Sequence, residues 1–199
     1  MYINLNSSAV FLLSTEIIIH IADTYNNRLG VMMSEYAKHK IQHEILIGGG
    51  SNAFFNGIIA WLTLREGPSL TWLGSSSFVV DITATAFILP FIVALIVIPL
   101  QKKKLQKGAA ETINFGPKSL LQHWVNRLPD ATFLNAIIFG VIGVLIAAPT
   151  PLIIFYILDI EQIEPMTYAI FKGCWAGIMA GILVIPMVMS ALRERYSLT

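Results

Sequence analysis

A long apolar run occupies residues 78–104, which read FVVDITATAFILPFIVALIVIPLQKKK. Between Phe78 and Leu100 the run carries a single charge, Asp81, and it ends against the lysines at 102–104. Because an α-helix rises about 1.5 Å per residue and the hydrocarbon core of a bilayer is about 30 Å thick, roughly 20 apolar residues span a membrane. The run therefore predicts a transmembrane helix that stops at a basic border.

Three further segments have the same character, and the composition of the chain agrees with them. Of the 199 residues 55% are hydrophobic and only 13% are charged, and the mean hydropathy is +0.69. Average soluble proteins are about 45–50% apolar and about 25% charged. The chain is therefore predicted to be an all-α polytopic membrane protein with four transmembrane helices. The other three are expected at residues 45–64, about 131–158 and about 166–192.

The four predicted helices divide the chain into two hairpins. The first hairpin takes residues 45–100 and the second takes residues 131–199, with a basic loop at 101–130 between them. Residues 1–44 precede the first hairpin and are expected to form amphipathic helices in the cytoplasm or on the membrane surface. An N-terminal element, two hairpins and one connecting loop are thus the expected organisation.

The positive charges predict the orientation in the membrane. Eleven of the thirteen lysines and arginines fall before the first span, in the loop 101–130 or after the fourth span. These positions share one side of a two-hairpin arrangement. Because Lys and Arg concentrate in cytoplasmic loops, both termini are expected in the cytoplasm, and the expected location is a bacterial inner membrane.

Part of the loop 101–130 is expected to be helical. Apolar residues recur there at helical spacing, with Lys118 and Arg127 on the flanks. This pattern favours a short helix that lies on the membrane surface, and a plain cytoplasmic loop is the alternative. The apolar positions are Leu120, Leu121, Trp124, Val125 and Leu128.

The two hairpins resemble each other in sequence. Residues 54–59 read FFNGII and residues 133–138 read FLNAII; later, residues 96–99 read IVIP and residues 183–186 read LVIP. Each predicted repeat holds two spans, so both copies would insert with the same polarity. Their pseudo-twofold axis would then run along the membrane normal, as in transporters with parallel repeats.

This pattern resembles small uncharacterised bacterial inner-membrane proteins built from duplicated two-helix hairpins, of the domain-of-unknown-function type. The likeness covers the chain from about residue 50 to the end. It implies the duplicated architecture, and it supplies no catalytic residues. The residues that carry it are Asn52, Asn56, Asp81, Thr85, Pro90 and the lysines 102–104.

Two charges lie inside predicted spans. Asp81 lies near the outer end of the second span, and Lys172 lies near the outer end of the fourth. Ionisable residues in a membrane usually face a partner or a water path, so Asp81 is predicted to be a proton or cation site, unless it only caps its helix. If the two spans pack together, Lys172 would pair with Asp81; otherwise it would snorkel to the interface alone.

Three amides, a threonine and a proline complete the predicted transport path. Asn52 and Asn56 are one turn apart and share a helix face, and Asn56 and Asn135 occupy equivalent positions of the two repeats. Since amides that face lipid are costly, all three are expected to point inward, where they would line a polar path or hydrogen-bond between helices. Thr85 is expected to bond its own backbone, and Pro90 is expected to bend the second span.

Small residues at four-residue spacing predict close helix packing. Such stripes let two helix backbones approach each other and support pairing within or between subunits. One stripe lies on the first span and one on the fourth. Their members are Gly49, Ala53 and Gly57, and Gly173, Gly177 and Gly181.

The N-terminal element offers a weak candidate for a metal site. Residues 8–22 and 31–47 are expected to form helices that lie on the membrane or contact another subunit. Glu35, His39 and His43 share one face of the second helix. Histidines at this spacing can chelate a metal ion, but on an exposed helix they are far commoner as solvated surface, so no metal is expected.

The sequence excludes several classes of function and leaves two. A net charge of +1 gives no basic field for nucleic acid, and the chain has no P-loop, nucleophile elbow, metalloprotease motif or dinucleotide fingerprint, so neither an enzyme nor a cofactor is expected. The favoured prediction is a small homo-oligomeric channel or carrier in the lipid bilayer, for ions, protons or small solutes. The alternative is a non-transporting assembly, accessory or sensor subunit, with a membrane-protein partner bound through the N-terminal helices.

Overall fold

The computed structural model of the chain describes residues 35–113 and 119–193. Four helical stretches there are long and apolar enough to cross a membrane, which confirms the predicted number of spans. The third span consists of α4, a π-helical turn and α5. In chain order the elements are α1 (Glu35–Leu64), β1 (Leu70–Thr71), α2 (Phe78–Gln106), α3 (Leu120–Asn126), α4 (Thr132–Ile142), the π-helical turn (Gly143–Ala147), α5 (Pro149–Ile157), β2 (Gln162–Ile163) and α6 (Pro165–Leu192).

Local signals in the sequence place the ends of α2 and the start of α6. Ser77 caps α2, because its hydroxyl accepts a hydrogen bond from the backbone N–H of Val80 at 3.3 Å. After the last turn of α2 the chain reaches Gly108, whose φ of 67° is a left-handed conformation that glycine adopts without strain. α6 begins with Pro165, where a missing N–H removes no helical hydrogen bond.

α1 runs without a break across the predicted boundary between residues 44 and 45. The described part of the predicted helix at 31–47 and the predicted span at 45–64 are therefore one helix. No proline interrupts it, and an ion pair of 2.7 Å between Lys40 and Glu44 joins successive turns. The predicted helix at 8–22 lies outside the described residues.

The two spans of each predicted hairpin are not each other's main packing partners. α1 packs along α6, α6 packs against α2, and α2 packs against the third span. α6 is therefore the central helix of the bundle: 78% of its membrane-spanning window is buried, against 17–28% for the other three spans. Neither hairpin closes on itself: α6 lies between α1 and α2, and α2 lies between α6 and the third span.

A small sheet joins the two hairpins at one end of the bundle, which we call the β end. β1 and β2 pair antiparallel, with Leu70 opposite Ile163 and Thr71 opposite Gln162. The indole N–H of Trp72 also donates to the carbonyl of Ile160 at 2.8 Å. Beneath this sheet lies a core of large side chains, which we call the β-end core. It consists of Leu70, Phe78, Ile82, Ala86, Ala148, Phe155, Ile163 and Tyr168.

The opposite end, which we call the basic end, is held together by charged side chains. Arg193 donates to the carbonyls of Val125 and Leu128 at 2.7 and 2.9 Å and to the carboxylate of Asp130 at 2.6 Å. Lys102 donates to the carbonyl of Asp130 at 2.8 Å. The segment after α3 is thus tied to α2 and to the end of α6.

α3 lies where the spacing of apolar residues predicts a short helix. The predicted apolar positions do not share one environment, however. Val125 and Leu128 are buried in the core at the basic end, whereas Leu120 is 88% exposed. The Trp124 ring lies 5.9 Å from the Phe139 ring, edge to face. α3 therefore packs against the bundle through Leu121, Trp124 and Val125, and Leu120 lies on its outer face.

The third span departs from α-helical geometry at its centre. The backbone N–H of Ala148 donates to the carbonyl of Gly143, five residues earlier, at 3.0 Å. Pro149 follows, and its ring lacks the N–H that an α-helical hydrogen bond at this position would need. One extra residue is thus accommodated in the turn, as in other π-helical turns.

Candidate functional site

Asp81 and Lys172 form an ion pair at the β end. The Lys172 ammonium lies 2.8 Å from Oδ1 and 2.7 Å from Oδ2 of Asp81. The two residues meet because α2 and α6 both begin at the β end and run side by side in the same direction. Of the two interpretations of Lys172, pairing and snorkelling, the structure has the pair.

Ser77 is the cap of α2, so the Asp81 carboxylate does not serve as the cap and pairs with a residue of α6 instead. Asp81 lies in the first turn of α2, where a carboxylate also interacts favourably with the helix dipole. Its side chain is 36% exposed, while that of Lys172 is only 11% exposed. The carboxylate is thus the accessible member of the pair.

Tyr168 is a third member of this cluster, and the sequence analysis did not select it. Its hydroxyl donates to Asp81 Oδ2 at 2.5 Å, and its residue is fully buried. Tyr168 precedes Lys172 by one helical turn, so both side chains lie on the same face of α6. A polar residue one turn from an intramembrane lysine was the signal that would have found it.

Aromatic rings surround the α6 side of the cluster. The Tyr168 and Phe171 ring centroids are 5.9 Å apart, and Phe171 lies 4.8 Å from Phe155 and 6.3 Å from Trp175. These rings form an apolar layer beneath the sheet. Electrostatic interactions are stronger in such surroundings than in water, so the Asp81–Lys172 pair is coupled more tightly than a pair on an aqueous surface.

The three predicted amides bond to nearby backbone rather than to one another. Asn52 donates to the carbonyl of Gly48 at 2.7 Å and Asn56 donates to that of Asn52 at 3.0 Å, both within α1. Asn135 is fully buried and donates to the carbonyl of Pro129 at 2.7 Å. The structure does not bring Asn56 and Asn135 together, because α1 packs against α6 and α4 packs against α2.

Pro90 lies buried within α2 and leaves the carbonyl of Ala86, one turn earlier, without its helical donor. Gly143 of the π-helical turn approaches that carbonyl so closely that an added Cβ would overlap the Ala86 oxygen. A Cα–H group at this position can make a weak hydrogen bond to the oxygen. Gly143 is not among the residues predicted from the sequence. Thr85, the neighbour of Ala86, is partly buried.

The two stripes of small residues face each other between α1 and α6. A Cβ added at Gly177 would lie 2.7 Å from the Ala53 Cβ and 2.9 Å from the Gly49 oxygen, and one at Gly173 would lie 2.8 Å from the Ala53 oxygen. Gly57 and Gly181 have more room, with the nearest atoms at 3.5 Å. The stripes could pair helices within one subunit or between subunits, and the structure shows a pairing within one chain.

The weak metal candidates do not form a site in the described part. His39 and His43 are exposed on α1, and the side chain of Glu35 lies outside the described residues. Within residues 35–113 and 119–193, no three His, Cys, Asp or Glu side chains gather closely enough to hold a metal ion. Glu44, the neighbour of His43, accepts hydrogen bonds from the Lys40 ammonium at 2.7 Å and from the Gln101 amide at 2.8 Å.

A shallow apolar groove of about 410 Å³ lies on the flank of the bundle, between α2 and the third span. It follows the π-helical turn and opens broadly to the surroundings. Its lining contains two hydroxyl groups among apolar side chains. The lining residues are Trp72, Thr83, Val144, Ala148, Pro149, Leu152, Ile153 and Tyr156.

Comparisons with known proteins were made at three levels: family models, individual curated proteins and solved structures. No family model, curated protein or solved structure matches the chain.

Proposed function

We propose that the protein is a small proton-linked carrier of ions or solutes in a bacterial inner membrane, with Asp81 at its functional centre. The observation that carries this proposal is the Asp81–Lys172 ion pair, held by Tyr168 between two parallel apolar helices. Ionisable residues inside membrane proteins are costly and mark ion or proton pathways by default. A pair that can break and re-form also provides two states, which a carrier needs.

A carrier fits the packing better than an open channel does. α6 fills the interior of the bundle, and every residue from Val184 to Leu192 is buried. A solute crossing a single copy would therefore require helices to move. The breaks at Pro90 and at the π-helical turn lie where α2 meets the third span, and interrupted helices recur in carriers whose repeats move against each other.

The helix packing supports a duplicated origin for the two hairpins. The order helix, strand, helix occurs twice in the described chain. α1 packs on α6 as the third span packs on α2, while α2 and α6 pack on each other. A pseudo-twofold axis between α2 and α6 exchanges these contacts, and it would place Asp81 and Lys172 close to the interface of the two repeats.

The proposed orientation places the basic end in the cytoplasm and the β end outside. The lysines 102–104, Arg127 and Arg193 all lie at the basic end, as the rule for cytoplasmic charge expects. Large apolar side chains such as Phe54 and Phe55 on α1 are exposed. In a membrane such faces would contact lipid or a second copy of the chain, which supports a homo-oligomer.

A second candidate function is a non-transporting assembly or sensor subunit. It is favoured by the hydrogen bonds of the amides at Asn52, Asn56 and Asn135, which are made to backbone as in a static bundle. The close packing of α1 on α6 fits this function equally well. Of the N-terminal helices proposed to contact a partner, the helix at 8–22 lies outside the described residues, and the described part of the helix at 31–47 is the start of α1.

The test is proton flux in liposomes. Purified protein is reconstituted, gradients of sodium, potassium and chloride salts are imposed, and the internal pH is followed for the wild type and Asp81→Asn. We expect solute-driven proton flux that is lost in Asp81→Asn and retained in Glu66→Gln, a matched change at an 85% exposed carboxylate. No flux above that of empty liposomes, from protein shown to be folded, would contradict the carrier and favour the second candidate.

A further inference from the structure

We infer that the solute is a small monovalent anion, which binds to the Lys172 ammonium and the Tyr168 hydroxyl when Asp81 takes up a proton. This inference rests on the proposed carrier function and specifies its substrate class. It follows from the charge balance of the cluster and from the direction of its hydrogen-bond donors.

The charge balance requires an anion once Asp81 is neutral. Asp81 and Lys172 cancel each other's charge, and the lysine is only 11% exposed. A buried ammonium without a counter-charge is strongly disfavoured. Protonation of Asp81 alone would leave Lys172 in that state, and the arrival of one monovalent anion restores neutrality. Proton and anion are therefore favoured together.

No other titratable side chain of the β-end core alters this balance. α6 contributes Tyr168 and Lys172 to the surroundings of Asp81. The neighbouring large side chains in this layer are Phe78, Phe155 and Trp72, none of which carries a titratable group. The sign of the bound solute is thus decided by Asp81 and Lys172.

A cation is the wrong solute for this arrangement. A cation bound to the Asp81 carboxylate would displace Lys172 and leave it buried beside a second positive charge. Because its carboxylate partner would then be occupied, Lys172 would either remain an unpaired ammonium or release its proton, which would exchange a proton for the cation. Like charges this close repel strongly in apolar surroundings.

The donors for an anion are already in position. The Lys172 ammonium and the Tyr168 hydroxyl both point at Asp81 Oδ2, at 2.7 and 2.5 Å. Two donors that converge on one oxygen can hold a halide or a carboxylate oxygen that takes its place. The carboxylate that would give way is less enclosed than the lysine and lies in the first turn of α2, so the solute is expected to reach the donors from the β end.

The experiment measures proton uptake driven by anion gradients in proteoliposomes with a pH dye inside. Chloride, nitrate and lactate are each imposed as an inward gradient at constant sodium, and sodium and potassium gradients are imposed at constant chloride. We expect internal acidification with at least one anion and none with the cations. Empty liposomes supply the background for lactate, whose neutral acid crosses membranes unaided.

Two variants separate the roles of the charges. In Lys172→Gln, anion-driven acidification should fall by about tenfold or more, because the charged donor is lost. In Asp81→Asn, which imitates the protonated carboxyl, labelled anion should still exchange across the membrane but without moving protons. Tyr168→Phe keeps the ring and should weaken the apparent anion affinity by about tenfold. Each variant is first shown to be folded by size-exclusion chromatography and thermal unfolding.

The outcomes distinguish this inference from the proposed function. Proton movement in either direction, acidification or alkalinisation, that is driven by sodium or potassium and indifferent to the anion would overturn the anion inference and leave the carrier function standing. Anion movement that survives Lys172→Gln would also overturn the inference. No solute-dependent proton flux of any kind, from folded protein, would overturn the carrier function and the inference with it.

Discussion

Asp81 and Lys172 are unequally buried, and this difference has consequences for each residue alone. The lysine side chain is 11% exposed and the aspartate side chain is 36% exposed. Because Asp81 lies in the first turn of α2, at the end of the span, we expect water to reach a carboxylate that has lost its partner, whereas the ammonium is enclosed by the bundle. The two members of one ion pair therefore differ in what their removal costs.

At the residue scale we predict an asymmetry in stability. Asp81→Asn should lower the free energy of unfolding by about 3 kcal/mol, since it leaves a buried ammonium unpaired. Lys172→Gln should lower it by about 1 kcal/mol, because the remaining carboxylate is partly hydrated. The measurement is thermal or denaturant unfolding in detergent. The double variant should be more stable than Asp81→Asn alone, and equal losses in the two single variants would contradict this account.

At the scale of elements, helix packing depends on a few atoms of backbone. α2 meets the third span where Pro90 has freed the Ala86 carbonyl and Gly143 approaches it. α1 meets α6 where Gly173 and Gly177 lie against the backbone of Gly49 and Ala53. In both places a glycine of one helix lies directly against the backbone of the other. An added methyl group therefore has no room between the two helices.

For the contact between α2 and the third span, we predict that Gly143→Ala is among the most damaging single methyl additions. The new Cβ would overlap a backbone oxygen that cannot rotate away, and overpacking of this kind costs about 3 kcal/mol or more. Gly50→Ala is the matched control, because no atom lies within 4 Å of its added Cβ. That variant should be neutral or slightly stabilising, since alanine is the better helix former. Equal unfolding temperatures for the two variants would refute the predicted contact.

For the contact between α1 and α6, we predict a graded response along one stripe. Gly177→Ala should cost about 1–3 kcal/mol, because its Cβ would meet Ala53 and the Gly49 oxygen at less than 3 Å. Gly181→Ala, one turn further, has its nearest atom at 3.5 Å and should cost little. Unfolding in detergent measures both. A larger loss for Gly181→Ala than for Gly177→Ala would show that the two helices are in a different register.

At the scale of the whole molecule, the sequence predicts the spans well and their neighbours poorly. Apolar runs with a single charge each, bounded by Lys102 or by Arg193, are local signals, so four spans could be found from the sequence alone. Asp81, Lys172 and the glycine stripes also stand out, because charge and small residues are unusual inside a membrane. The insertion of α6 between α1 and α2 has no local signal, since it depends on which apolar faces fit.

Several residues of the site could not be predicted from the sequence either, because their contacts depend on which helices are neighbours. Tyr168 is one of several aromatic residues in its span, and only its hydrogen bond to Asp81 of α2 distinguishes it. Gly143 is one of fourteen glycines in the chain, and only its close approach to the Ala86 carbonyl distinguishes it. The prediction that Asn56 and Asn135 point into a shared interior assumed that equivalent residues of the two repeats face each other across the axis, whereas α1 and α4 lie on opposite sides of the central pair.

The proposed orientation of the whole molecule gives a further prediction. In a Cys174→Ser background, a cysteine at Glu66 near the β end should react with a membrane-impermeant maleimide on intact cells. A cysteine at Lys107, exposed at the basic end, should react only after the cells are permeabilised. Labelling is read from the mass shift of the purified protein. The reverse pattern would place the basic end outside and contradict the proposed topology.

The central position of α6 also constrains how the protein is made. Helices enter a membrane in the order of their synthesis, and α6 is the last of the described spans. Until it arrives, α1 and α2 must remain apart, with the face of Gly49 and Ala53 turned to lipid. Early closure of the first hairpin would leave α6 without its groove, so assembly of this bundle waits for its final helix.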